Sequence, residues 1–238
     1  FSSTKKLFFF LAILPEDVPF PMAMLKTLSS HFEGPGQKHP GRKIRSWATA
    51  LLQMSLLKGS IQSGIYMHDI VRHYAREKLG AEELRAANKI LVEGALDARL
   101  IQGGTFGTLG ESKSLSLNWY AQNYLAYHIQ ESIVDVLEDP EECCKNELLL
   151  SLIRDNDPIL YSLAALAIGI DRAVGIGEHF GKIGAPIDGF VLLTGASLSR
   201  IVIGMTVTRE TEIALRAADL LDMALDLPDP IPDYCFDV

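Results

Sequence analysis

The sequence predicts a mainly α-helical protein: a winged-helix domain of three or four helices with a short β-hairpin, then an array of paired helices of TPR-like or α-solenoid type. Three observations predict it. Apolar residues recur at helical spacing through most of the chain, no stretch alternates with a strand period long enough for a sheet, and one short Gly-containing ribbon follows the first three helical segments.

The first helix is the apolar run Leu7 to Leu14, too dense for a surface helix and stopped by Pro15, whose ring cannot continue it. "PEDVPFPMAMLKTL" then reads as a turn and a second helix beginning near Pro21, since proline suits a first helical turn. "HFEGPGQKHPGRK" is a basic Gly/Pro loop. In "IRSWATALLQMSLL", Ile44, Trp47, Ala48, Leu51, Leu52 and Leu56 form the buried stripe of a third helix.

The ribbon is "KGSIQSGIYM", with Ile61 and Ile65-Tyr66 as strand formers and Ser63-Gly64 as the turn. After it, Met67, Ile70, Val71, Tyr74 and Ala75 recur as the core face of an amphipathic helix, which leaves Arg72, His73 and Arg76 outside. Helix then follows helix: "AEELRAANKILVEGALDARLI", "LNWYAQNYLAYHIQESIVDVLE", "PEECCKNELLLSLI", "DPILYSLAALAIGID", "AVGIGEHFGKIGA", "IDGFVLLTGASLSRIV" and "TRETEIALRAADLLDMAL". The pairs at 156–185 and 186–226 have the spacing of an α-solenoid repeat. The pattern divides the chain into residues 1–79, 80–226 and a Pro/Asp-rich tail, 227–238.

Charge follows the same division. Residues 1–79 carry 11 Lys+Arg against 5 Asp+Glu, a net of +6, and residues 80–238 carry 11 against 25, a net of −14. Different partners for the two parts are expected. No run approaches the ~20 apolar residues of a membrane span, and "KKLFFFLAIL" lacks a signal-peptide cleavage site. The three cysteines, Cys143, Cys144 and Cys235, have neither metal-ligand spacing nor a natural disulfide partner, the usage of an intracellular, cytoplasmic protein. The start at Phe1 and the unpatterned tail read as a piece of a longer product.

"GIYMHDIVRHYAREKL" gathers the polar groups that could carry chemistry. Asp69 and His73 share a helix face at i, i+4 with His68 near, but a second ligand cluster is missing and Arg72 and Arg76 oppose a cation. His68 and Asp69 point about 100° apart on a helix, which disfavours an acid/base dyad. At the helix start, however, unpaired N–H groups favour an anion, and the His68 ring can donate to a phosphate oxygen. "GGTFGTLGES" lacks the phosphate-loop spacing and "GIGEHFG" follows a helix rather than a strand, so both read as loop or close-packing glycines. The third helix carries little charge beyond Lys43 and Arg45, which disfavours nucleic acid.

Three ordered stretches, "FFFLAILPEDVPFPMAMLKTL", "KIRSWATALLQMSLLKGSI" and "SGIYMHDIVRHYAREKL", resemble the winged-helix segment of NB-ARC proteins, the STAND-class ATP switches. The first is similar to that family's "LAxFPED" motif and Met67-His68-Asp69 to its Met-His-Asp motif. The likeness covers residues 5–79, and Ser29-Ser30 stand where many members have a tryptophan.

The resemblance implies that His68 reaches the β-phosphate of ADP bound on an upstream nucleotide-binding domain, with Met67 and Asp69 supporting the motif. It also implies that the phosphate loop lies upstream, so this segment is not an enzyme by itself and ADP or ATP is a cofactor only of the full-length protein. The later helices resemble, more loosely, a sensor region that meets other proteins. The expected function is a regulatory segment of a nucleotide-dependent signalling switch. The alternatives are a winged-helix DNA-binding regulator with a helical dimerisation domain and a helical-repeat scaffold with no nucleotide role.

Overall fold

The computed structural model describes residues 3–28, 31–32, 41–97, 117–155, 157–203, 213, 216–221 and 223. The glycine-rich stretch 103–112, most of the basic loop, Ser29-Ser30, Cys235 and the tail 227–238 lie outside the described residues. What is described is mainly α-helical with one two-stranded sheet. It forms two compact units, Phe1–Ser132 and Ile133–Val238.

In the first unit, α1 (Ser3–Phe10) and the single 3-10 turn after it (Leu11–Ile13) bury Leu7, Phe8, Phe10 and every side chain from Leu11 to Leu14. Pro15 ends the run, as its missing N–H requires. Phe20 then bridges the sheet: its N–H donates to the Ile65 carbonyl at 2.7 Å and its carbonyl accepts from the Ile65 N–H at 3.0 Å. Next come α2 (Met22–Thr27), with Pro21 at its N-cap, and α3 (Arg42–Gln53), which buries Ile44, Ala48 and Leu51 and leaves Trp47 and Leu52 half-buried.

The hairpin pairs β1 (Lys58–Ser60) with β2 (Gly64–Tyr66) antiparallel, Gly59 opposite Ile65. Its turn is not where the sequence pattern put it. Ile61 sits in the turn with Gln62 and Ser63, and Gly64 starts the second strand. The Ser60 hydroxyl explains the shift, because it accepts from the Ser63 N–H at 2.9 Å and satisfies the turn without a glycine inside it. Gly59 is at φ +89 with the Gly64 carbonyl oxygen 2.2 Å from where a Cβ would stand, so the strands meet at a residue that must lack one.

Two further helices complete this unit. After α4 (Asp69–Leu79) come α5 (Ala81–Asp97), which packs on α4, α2 and the 3-10 turn, and α6 (Leu117–Ser132), which packs along α5. Thus the first compact unit extends past residue 79, where the sequence pattern divides the chain, to Ser132.

In the second unit short helices replace longer predicted ones. "PEECCKNELLLSLI" breaks at Asn146 into α7 (Pro140–Lys145) and α8 (Glu147–Arg154), because Asn146 is extended and its side chain accepts from the Leu149 N–H to cap the second. α9 (Pro158–Ile168), capped by Asp157, is buried on nearly all sides and stops at Gly169, φ +91. α10 (Ile170–Lys182) and α9 both pack against α11 (Pro186–Ile203). Buried Leu193 joins Ile213, Ala217 and Leu220 in one cluster.

Close approach here is set by glycines. A Cβ on Gly195 would lie 2.4 Å from the Tyr161 carbonyl oxygen, and one on Gly189 would lie 2.4 Å from that of Gly177. Gly177 and Gly181 of "GIGEHFG" are buried inside α10. Among the described residues no single helix is long and apolar enough to cross a membrane; α9 and α10 reach that composition only as a pair bent by 109°.

Candidate functional site

The residues between the hairpin and α4 lie where the sequence directs attention. Met67 is buried, so it anchors the strand end. His68 is the N-cap of α4, extended at φ −65, ψ 142, and half-buried. Its Nδ1 accepts from the Ile70 N–H at 3.4 Å, a long cap bond. A neutral imidazole that accepts at Nδ1 carries its proton on Nε2, and that donor has no hydrogen-bond partner among the described residues. Asp69 follows in the first turn, exposed, where a carboxylate favours the positive helix end.

The helix behind them is turned relative to its sequence pattern. Ile70 is 76% exposed and Tyr74 52% exposed, although the apolar spacing assigns both to the core. Arg72 and Arg76, assigned to the outside, point inward instead. Arg72 Nε donates to the Leu14 carbonyl at 2.6 Å and its Nη2 to the Tyr127 hydroxyl at 3.4 Å; Arg76 Nη2 donates to Glu131 Oε2 at 2.8 Å. The physical reason is the free carbonyl at the end of the first apolar run. The residue after Leu14 is a proline, the chain turns there, and a guanidinium fork satisfies that oxygen as no Ile or Tyr could. Val71, Ala75 and the arginine stems supply the packing.

His73 is exposed and does not join Asp69 and His68 in a ligand group. Asp69 instead meets Glu16 and Asp17, the acidic pair that follows Leu14-Pro15, with carboxylate oxygens within 4.8 Å of one another. All three are exposed.

Behind α4 lies a buried polar chain that sequence reading missed. The Tyr120 hydroxyl is 2.8 Å from His128 Nε2, His128 Nδ1 is 2.7 Å from Asn88 Oδ1, and Asn88 Nδ2 donates to the Leu84 carbonyl at 2.8 Å. An amide oxygen only accepts, so His128 donates at Nδ1 and accepts from Tyr120 at Nε2. All three side chains are fully buried, and burial lowers the His128 pKa to about 3. Tyr120 and His128 lie eight residues apart, two turns on one helix face, and that spacing inside an apolar stripe was the available signal. The chain is closed on itself, and it locks α5 to α6 rather than offering a group to a ligand.

In the second unit, Cys143 and Cys144 are buried free thiols, which burial pushes up to about 11 and about 12. Neither is a thiolate near neutral pH, so neither is a ready nucleophile. Compared with models of protein families, with curated proteins and with solved structures, the chain matches none.

Proposed function

We propose that this chain is a regulatory, non-catalytic segment of a cytoplasmic NB-ARC-type switch. Its first part is a winged-helix lid that contacts ADP held on an upstream nucleotide-binding domain, and its later helices are sensor repeats that meet other proteins. The observation that carries the reading is the His68 ring. Its Nδ1 is taken by the α4 cap bond and its Nε2–H is left as an unpartnered donor beside the unpaired N–H groups of a helix start. That pair of features suits a phosphate oxygen.

Two further observations support the lid. The order helix, bridging residue, helix, helix, hairpin, with Phe20 paired to the second hairpin strand, is the connectivity a winged helix requires. The Arg72 to Leu14 bond also joins the first and third stretches on which the resemblance rests.

A contact made only in the ADP-bound state biases a two-state equilibrium toward it. Losing one charge-assisted hydrogen bond of about 1.5–3 kcal/mol shifts that equilibrium roughly ten- to a hundredfold. The test is His68→Ala in the full-length protein, where ADP release and basal activation rise by that factor. Unchanged nucleotide retention overturns the reading.

A further inference from the structure

The exposed side of α4 presents one continuous surface: Asp69, Ile70, His73, Tyr74, Glu77 and Lys78 are all exposed, and Val71, Arg72, Ala75 and Arg76 turn the other way. Ile70 and Tyr74, one turn apart, form its apolar ridge. A 76% exposed isoleucine beside a half-exposed tyrosine is what a covered interface looks like when its cover is removed. Tyrosine is enriched at the energetic centre of such interfaces.

The flank of the ridge states the chemistry of the cover. Asp69 lies in the row next to Ile70, and Glu16 and Asp17 bring two more carboxylates within 4.8 Å of it, none with a cationic partner among the described residues. Three gathered negative charges repel a nucleic-acid backbone or an anionic membrane and attract lysine or arginine side chains. The complement is therefore a protein surface with an apolar pocket bordered by cations.

We infer that the Ile70–Tyr74 ridge and the Glu16–Asp17–Asp69 carboxylates dock on such a pocket of the preceding domain in the same polypeptide. This rests on the lid reading for the identity of that domain and adds to it a contact independent of nucleotide. His68 sits at the N-terminal end of the ridge, so docking the ridge places its Nε2–H at the seam.

The experiment is side-chain labelling in the full-length protein with ADP bound. Ile70→Cys, a change at an exposed position, is treated with bromobimane, and labelling of its peptide is followed by mass spectrometry, beside the same variant of this 238-residue segment. The docked ridge labels at least tenfold more slowly in the full-length protein, and adding Glu16→Lys restores much of the lost rate.

Equal rates in a full-length protein that retains ADP overturn the docking and leave the lid standing. Failure to retain ADP, with slow labelling that Glu16→Lys still relieves, overturns the nucleotide contact and supports the docking. Protection that grows with protein concentration assigns the ridge to a second copy and overturns the inference.

Discussion

Arg72 Nε donates to the carbonyl oxygen of Leu14 at 2.6 Å, a bond between side chain and backbone across 58 residues of sequence. It holds the hairpin-to-helix junction on the end of the first apolar run, with Tyr127 adding a longer bond from α6. A charged hydrogen bond at a half-buried site contributes about 1.5–3 kcal/mol. Arg72→Ala is expected to lower the stability of the first unit by that much. Arg72→Lys recovers only part of it, because an ammonium has no planar fork to serve Leu14 and Tyr127 together. Both tryptophans, Trp47 and Trp119, belong to the first unit, so fluorescence-detected urea unfolding isolates the effect.

His128 makes the same unit sensitive to mild acid. Its folded pKa, about 3, lies below the ordinary 6.5, so below pH 6.5 the unfolded chain takes up a proton that the folded chain refuses. The stability of the neutral ring is fully present above 6.5 and is lost as pH falls from there toward 3. The loss is about 1.4 kcal/mol per pH unit, or about 2 kcal/mol between pH 7 and pH 5. His128→Gln should start less stable, since it disturbs bonds to Tyr120 and Asn88, yet show a flatter dependence over that window. Parallel slopes for the parent and the variant would remove His128 from the account.

Gly195 lets α11 approach α9 closely enough that an added methyl would sit 2.4 Å from a backbone oxygen, which cannot step aside as a side-chain tip can. Gly195→Ala should therefore destabilise the second unit by about 1–3 kcal/mol through overpacking. Gly175→Ala, where nothing lies within 4 Å, should stabilise it by a few tenths to about 1 kcal/mol from the better helix former. Thermal unfolding followed by circular dichroism separates the two, and equal shifts would contradict the packing argument.

Helical periodicity made the elements from α1 to α6 legible, because each buries a stripe that the 3.6-residue repeat exposes to inspection. It misread which way α4 faces. Met67, Ile70, Val71, Tyr74 and Ala75 satisfy the repeat as well as any core stripe. The competing term is a single backbone carbonyl at Leu14, 58 residues away, and no local pattern contains that partner. The breaks at Asn146 and Gly169 were missed for a milder reason: both residues are tolerated inside a helix, and only the cap bond at one and the positive φ at the other show that they end one. His68 stood out through its neighbours Met67 and Asp69. What the sequence could not supply was that one of its two nitrogens is already engaged.

That engagement separates two roles of His68 by experiment. As N-cap it satisfies the Ile70 N–H, and alanine there costs about 0.5–2 kcal/mol of helix stability whatever else the residue does. Asparagine is among the best N-caps, so His68→Asn keeps the cap through its short amide oxygen. Its amide nitrogen, however, ends closer to the backbone than Nε2 does and cannot extend the same reach toward a ligand. The expected result is that His68→Asn unfolds like the parent in urea but releases ADP from the full-length protein about as fast as His68→Ala. If asparagine restores both stability and nucleotide retention, the histidine is a cap and its outer nitrogen carries no ligand contact.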